Sequence, residues 1–202
     1  MAKIKFAIIG CGRISKNHVE ALLNNFDGCK LVAVCDIIKN KAIERKAQYE
    51  RNVGNANIKV YTDYIQMLQN EDINAVSICT ESGYHATIAI NCLNYDKHVL
   101  IEKPMALSLE DADMIIEIGK QKNLKVGVCH QNRFNPPIQK LRRAVEEGRF
   151  GKIINGTARI LWTRDQNYYD KAPWRGTKAL DGGTLMNQCI HNIDLLQWMM
   201  GS

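Results

Sequence analysis

Lys3-Ile4-Lys5-Phe6-Ala7-Ile8-Ile9 is a short apolar run that ends directly on Gly10-Cys11-Gly12-Arg13-Ile14-Ser15, and a helix-compatible stretch follows through Phe26. A second apolar run, Cys29 to Cys35, ends on Asp36. Strand, glycine turn, helix N-terminus, strand and carboxylate, in that order, confine the start of the chain to a βαβ unit with a dinucleotide site at its strand ends. Gly10 serves the tight turn, and Gly12 lets the backbone approach a pyrophosphate seated on exposed helix N–H groups. Arg13 and Ile14 fall in the same turn and are assigned with it to the cofactor. Asp36 is placed to accept hydrogen bonds from an adenine-ribose diol and to repel a 2′-phosphate, so the cofactor expected is NAD rather than NADP. Ser15 occupies the third small position, where glycine or alanine is usual, and implies slightly looser helix–strand packing.

Beyond Asp36, apolar runs keep alternating with helical patterns. Ile38 to Glu50 reads as a helix, Lys59-Val60-Tyr61 as a strand, and Thr62-Asp63 as the cap of a short helix carrying Ile65, Met67 and Leu68. Ala75 to Cys79, His98 to Ile101 and Lys125 to Cys129 are further strands. Between them lie a helix from His85 to Leu93 and one opened by Ser108-Leu109-Glu110-Asp111. This alternation is that of an α/β fold, a doubly wound parallel sheet.

The pattern changes near Asn135-Pro136-Pro137, so residues 1–130 read as the nucleotide domain and 131–202 as the start of a second one. There a helix stops at Gly148, and Lys152 to Trp162 reads as a long strand. A polar segment, Thr163 to Asp181, leads through Gly182-Gly183 to a helix with Ile190, Ile193, Leu195, Leu196 and Trp198. One strand and one helix cannot bury a sheet face by themselves. The chain is therefore expected to be a fragment, or to receive further strands from elsewhere.

Composition narrows the partners. With 202 residues, 46% hydrophobic and 24% charged, the chain suits a soluble globular protein with a real core. No apolar stretch approaches the ~18 residues that span a bilayer. The start runs straight into a strand without a signal-peptide pattern, so the cytoplasm is the expected compartment. The seven cysteines are scattered, with no CxxC pair and no zinc spacing, so neither a metal nor a disulfide framework is expected. The net charge of +6 is spread, as in Lys39, Lys41, Arg45, Lys46 and Arg51 interleaved with Glu44 and Glu50. That pattern is a solvated helix face rather than a nucleic-acid patch.

Ligands in open α/β sheets bind at the carboxyl ends of the strands. Three polar clusters fall there: Thr80-Glu81-Ser82-Gly83-Tyr84-His85, Glu102-Lys103-Pro104 and His130-Gln131-Asn132-Arg133. A lysine directly after a buried strand is unusual, and Pro104 stiffens the turn so as to aim it. The plainer alternative is a lysine capping a helix or paired with Glu102. His191 follows Asn187 by four residues, which on one helix puts both on one face, and Asp194 is three further on, close enough to orient the ring. Set against this is an ordinary structural histidine.

The order of GCGRIS, Asp36, Glu102-Lys103-Pro104 and Gly182-Gly183 followed by Asn187 and His191 resembles the glucose–fructose oxidoreductase / inositol dehydrogenase (Gfo/Idh/MocA) family. The Glu-Lys-Pro triplet is intact, whereas Asn187 stands where most members have aspartate and Glu81 where proline is common. The stretches Tyr168 to Thr177 and Leu185 to His191 are similar to enzymes that oxidise C3 of UDP-N-acetylhexosamines or their uronic acids, a group that itself uses asparagine at the position of Asn187. The resemblance implies an NAD-dependent sugar dehydrogenase of nucleotide-sugar and cell-surface polysaccharide biosynthesis. It implies a Rossmann domain followed by the start of an α+β domain on an open, largely antiparallel sheet, through which subunits pair.

Cofactor contacts are expected at Thr80, His85, Glu102, Lys103, Trp174 and Arg175 besides the glycine turn and Asp36. His191 is expected to act as base, Lys103 to hydrogen-bond the sugar oxygen and Asn187 to position the sugar. Arg133, Arg164 and Tyr168 are candidates for contacts to substrate, the arginines gripping its diphosphate. Competing readings are a dehydrogenase for a free polyol or cyclitol such as inositol, and a non-catalytic NAD-binding sensor or scaffold.

Overall fold

The computed structural model describes residues 2–201, which divide into two compact units, one ending at Val128 and one beginning at Cys129. In the first, six strands form one parallel sheet: β1 (Ile4–Ile9), β2 (Cys29–Cys35), β3 (Lys59–Tyr61), β4 (Ala75–Ile78), β5 (His98–Ile101) and β6 (Val126–Val128). Their order is β3-β2-β1-β4-β5-β6. Helices α1 (Ser15–Asn24), α2 (Lys39–Val53), α3 (Tyr64–Asn70), α4 (His85–Asn94) and α5 (Leu109–Gln121) make the crossovers. Parallel strands covered on both faces need apolar side chains pointing both ways. On one face Ala7, Ile9, Ala33, Val76, Ile78 and Ile101 pack with Met67, Leu93 and Ile115. On the other, Ile8, Leu31 and Val34 pack with Val19, Leu22, Ala42 and Tyr49.

Local signals start the helices where the sequence puts them. Asp63 accepts from the Ile65 N–H, and Ser108 Oγ accepts from the Asp111 N–H while donating to its carboxylate. Strand order reverses between β1 and β4, the switch point at which such sheets open a crevice. There Gly10 has φ +84°, and a Cβ on it would lie 2.6 Å from the Cys79 carbonyl carbon and the Thr80 nitrogen. The turn closes against the end of β4 because this residue has no side chain.

The second unit holds α6 (Pro136–Glu146), α7 (Gln166–Asp170), α8 (Lys178–Asp181), α9 (Gly183–Asn187) and α10 (Ile190–Met200). Pro136 starts α6 at a position that needs no N–H. Asp165 caps α7 through the Tyr168 N–H, and Thr177 caps α8 through the Leu180 N–H. The strand expected over Lys152–Trp162 is absent as regular structure, because no second strand exists among the described residues of this unit to pair with it. The segment lies on α10 instead: a Cβ at Gly156 would reach within 2.7 Å of Met200 Sδ and 3.0 Å of Leu196 Cδ1. Ile154 and Leu161 are exposed. Trp198 is flanked by Arg133 and Arg142, each guanidinium 5.1 Å from its ring. No helix among the described residues is long and apolar enough to cross a membrane.

Replacing Gly10 by alanine should lower stability by about 1–3 kcal/mol, the usual range for overpacking, with the positive φ adding to it. Thermal unfolding of wild type and Gly10→Ala measures this, and coincident melting curves would show that the Cys79–Thr80 peptide yields.

Candidate active site

The glycine turn and Asp36 are joined directly. The Gly10 N–H donates to the Cys35 carbonyl at 2.9 Å. The Cys11 and Ile38 N–H groups each donate to one oxygen of Asp36, at 2.7 and 2.8 Å. A carboxylate offers about four lone-pair sites, so two directions remain on Asp36 for a ribose diol. Unlike Gly10, Gly12 borders open space, where an added Cβ would meet nothing within 4 Å. Helix α1 then begins with no side-chain cap on its first N–H groups and no acidic residue in its first turn. Uncapped N–H groups beside a bare backbone suit a pyrophosphate, and the residues present therefore fit NAD. Ser15 is buried and its hydroxyl donates to the Gly12 carbonyl at 2.7 Å, which is how serine fits the third small position. Arg13 is exposed and Ile14 immediately precedes α1.

The ends of β4 and β5 carry the next groups. His85 is buried, with Nδ1 2.7 Å from the Pro104 carbonyl oxygen and Nε2 3.1 Å from that of Thr80. The ring thus braces the two strand-end turns against each other from inside, rather than reaching outward. Burial pushes its pKa below the ordinary 6.5, and the two carbonyls oppose this without overcoming it. A neutral ring has a single N–H to share between the two acceptors.

Glu102 is also turned inward. Its Oε1 lies 2.9 Å from His18 Nε2, and its Oε2 accepts the Lys103 N–H at 3.3 Å. Burial alone raises this carboxyl, but the hydrogen bond and charge of His18, with the N–H and charge of Lys103, outweigh it and hold the pKa below 4.5. Lys103 is half-buried and joined to Pro104 by a cis peptide bond. His18 carries no sequence signal of its own beyond lying eight residues after Gly10, and sequence reasoning passes over it.

In the second unit three expectations need correction. Asn187 and His191 do not share one helix: α9 ends at Asn187 and α10 starts at Ile190, with Gln188 and Cys189 between. Asp194 does not orient His191, because Arg133 grips it through Nε at 2.7 Å and an outer nitrogen at 2.5 Å. This competing guanidinium is one that helical spacing cannot foresee. Arg133 in turn spends its fork inside the protein, and Asp194 raises its pKa. His191 is buried, with the Gln131 amide nitrogen 3.5 Å from Nε2 and the His130 ring edge-on at 6.1 Å.

Asn187 donates to Asp181, whose other oxygen accepts the Gly176 N–H at 2.8 Å. Tyr168 is the centre of a cationic-aromatic cluster. Arg175 stacks 4.3 Å from its ring and donates to its carbonyl, and Arg164 lies 5.2 Å from the ring. Gln188 donates to its hydroxyl at 2.8 Å, and Trp174 lies 5.7 Å from the Arg175 guanidinium. The structure therefore gathers Arg164, Tyr168, Trp174 and Arg175 in one place.

His85 and Glu102 fix the sign of the acid response. Both have folded pKa values below their ordinary ones, so the folded state binds fewer protons. Their stabilisation is complete above 6.5 and 4.5 respectively and is lost as the pH falls through the lowered values. Denaturant unfolding between pH 8 and 4 should show stability decreasing toward acid, and His85→Gln should remove the upper part of that decrease. A second expectation separates the two glycines. Gly12→Ala should leave the melting temperature of the chain unchanged but weaken NADH binding, measured by quenching of protein fluorescence. Unimpaired binding would place the pyrophosphate elsewhere.

Comparison with known proteins gives two family matches. Residues 4–130 match the model described as an oxidoreductase family with an NAD-binding Rossmann fold, and residues 138–202 match the GFO/IDH/MocA C-terminal domain. Among solved structures, the chain is similar to the WlbA dehydrogenase from Chromobacterium violaceum in complex with NADH and UDP-GlcNAcA. That match has 40% identity and a TM-score of 0.87, over 98% of this chain and 56% of that one. The corresponding WlbA complex from Bordetella pertussis matches at 37% identity and a TM-score of 0.89, over 100% of this chain and 58% of that one. The myo-inositol 2-dehydrogenase of Thermotoga maritima is 29% identical over 98% of this chain and 55% of its own length. The chain spans 54–60% of the length of the curated relatives it matches.

Proposed function

From the premise that this chain belongs to the Gfo/Idh/MocA oxidoreductase family, with its NAD-binding Rossmann domain, we propose that the full-length protein oxidises C3 of a UDP-N-acetylhexosamine or its uronic acid. One observation carries the choice of substrate. The two WlbA structures, whose ligand is UDP-GlcNAcA, match at 40% and 37% identity, against 29% for the inositol dehydrogenase of Thermotoga maritima. Asn187 and the Tyr168–Arg175 cluster support the same reading, since a cluster of two arginines and aromatic rings suits a diphosphate next to a planar base.

NAD, when bound, supplies the hydride acceptor. His191 takes the hydroxyl proton, a task suited to an imidazole near neutral pH. Lys103 donates a hydrogen bond to the same oxygen and stabilises its developing negative charge. Asn187, whose amide nitrogen donates to Asp181, positions the sugar with a neutral side chain. Arg164 binds the diphosphate, and Arg175, expected at the cofactor, takes the place of Arg133 beside it, since both guanidiniums lie on the Tyr168 ring and Arg133 is spent on Asp194. Subunit pairing through the second domain's sheet is part of the same proposal. A cyclitol dehydrogenase is the second reading, favoured by the Thermotoga maritima match.

Full-length protein incubated with NAD and UDP-N-acetylglucosamine, its uronate or myo-inositol, and followed at the NADH absorbance, tests the substrate. Turnover of myo-inositol alone would overturn the proposal. In that assay Lys103→Ala and His191→Ala should each lower kcat by ~10² or more with NAD affinity nearly unchanged. Asp36→Ala should weaken NAD binding and relax discrimination against NADP. Retained turnover in either of the first two variants removes that residue from the chemistry, and an unaltered cofactor preference does the same for Asp36 at the ribose.

A further inference from the structure

His18 and Glu102 are 84 positions apart in sequence, both buried, and 2.9 Å from each other. His18 lies on α1, one turn beyond Ser15, whose hydroxyl holds the Gly12 carbonyl. Glu102 lies just past β5, where its N–H donates to the Ile78 carbonyl of β4 at 2.9 Å and its second oxygen takes the Lys103 N–H. The first turns of α1 therefore link the glycine turn, held through Ser15, to the backbone of Lys103, held through His18 and Glu102. An apolar pair of similar volume would hold α1 against this strand end at lower desolvation cost. The carboxylate adds direction: pinned at one oxygen, it presents the other to the Lys103 amide at a fixed angle.

We propose that His18 is a positioning residue, fixing through Glu102 the Lys103 backbone and hence the reach of its ammonium group, an inference whose catalytic consequence rests on Lys103 acting in the reaction proposed above. The glycine turn and the lysine turn are then one mechanical unit. Movement of α1 as the turn takes up a pyrophosphate is transmitted to the lysine, without His18 touching substrate or cofactor.

The test uses the full-length protein with NADH bound and reads Lys103 itself. Trace acetylation by acetic anhydride, quantified by mass spectrometry relative to the exposed Lys39 and Lys120, reports the setting of the Lys103 amine and needs no substrate. In His18→Ala the relative labelling of Lys103 should change severalfold. With UDP-N-acetylglucosamine uronate as substrate, kcat should fall on the order of tenfold to a hundredfold, the cost of a small misplacement, while the Kd for NADH holds. His18→Gln, whose amide reaches about as far as Nε2, should restore both readings, and the shorter His18→Asn should not. Added to Lys103→Ala, His18→Ala should cost nothing further.

Unchanged labelling in His18→Ala overturns the proposal, as does an equal loss of activity in the wild-type and Lys103→Ala backgrounds. If the alanine variant does not fold, the glutamine and asparagine variants decide, and identical behaviour of those two overturns it. Altered labelling in the His18 variants together with full turnover by Lys103→Ala would leave the positioning intact and remove Lys103 from the chemistry instead.

Discussion

Where β1 meets β4, the chain comes closer to itself than a methyl group allows, and the rest of the strand-end edge is registered from that contact. With Gly10 pressed on the Cys79–Thr80 peptide, the Cys79 N–H reaches the Ile9 carbonyl at 2.7 Å and the Gly10 N–H reaches Cys35. The next residue, Cys11, can then hold Asp36. On the other side, Glu102 is tied to Ile78. The positions of Asp36, the Thr80 turn and the lysine turn thus follow from one close backbone approach. A side chain there would displace all three together, which is a reason for glycine stronger than turn geometry alone.

That edge is also where most of the buried polar groups of the first unit lie, Arg45 on α2 and Ser77 within β4 being elsewhere. Below it the sheet is packed with aliphatic side chains, while Ser15, His18, Ser82, His85 and Glu102 lie buried at the edge itself. Buried polar groups are costly unless bonded, and once bonded they fix direction more firmly than packing does. His85 and Glu102 reach that state in opposite ways. Burial drives the imidazole toward its uncharged form against the pull of its two carbonyl partners, whereas His18 and the Lys103 amide overcome burial and hold the carboxylate charged. Neither is free to extend to a ligand. Their work is to hold the two strand-end turns in place.

The sheet was legible in the sequence because each parallel strand must be apolar on both faces and each crossover helix on one. Local periodicity therefore carries the architecture from Ile4 to Val128. Capping residues such as Asp63 and Ser108 are equally local signals. What escaped depended on contacts far apart in sequence. His18 gains meaning only from Glu102, and Asp194 is taken by Arg133 rather than by the nearby His191. The apolar pattern of Lys152–Trp162 is that of a strand, but a strand is defined by its partner, and none is present among the described residues. The pause at Gln188-Cys189 between two helices has no glycine or proline to announce it.

Asn187 shows how one departure from the family's usual residue becomes intelligible from its surroundings. Its side-chain nitrogen donates to Asp181, and both residues are buried. Asp181 is committed in turn to the Gly176 N–H, in the stretch that carries Trp174 and Arg175. An aspartate at 187 would set two carboxylates against each other out of solvent, where one of them must take up a proton or move away. Either response would loosen the Gly176 turn and the arginine and aromatic side chains beside it. The amide keeps the same size and supplies the N–H that Asp181 needs, so asparagine at 187 and aspartate at 181 are a matched choice. The charge at this point of the second unit is thereby carried by Asp181 rather than by residue 187, and the pair stays buried with one negative charge instead of two.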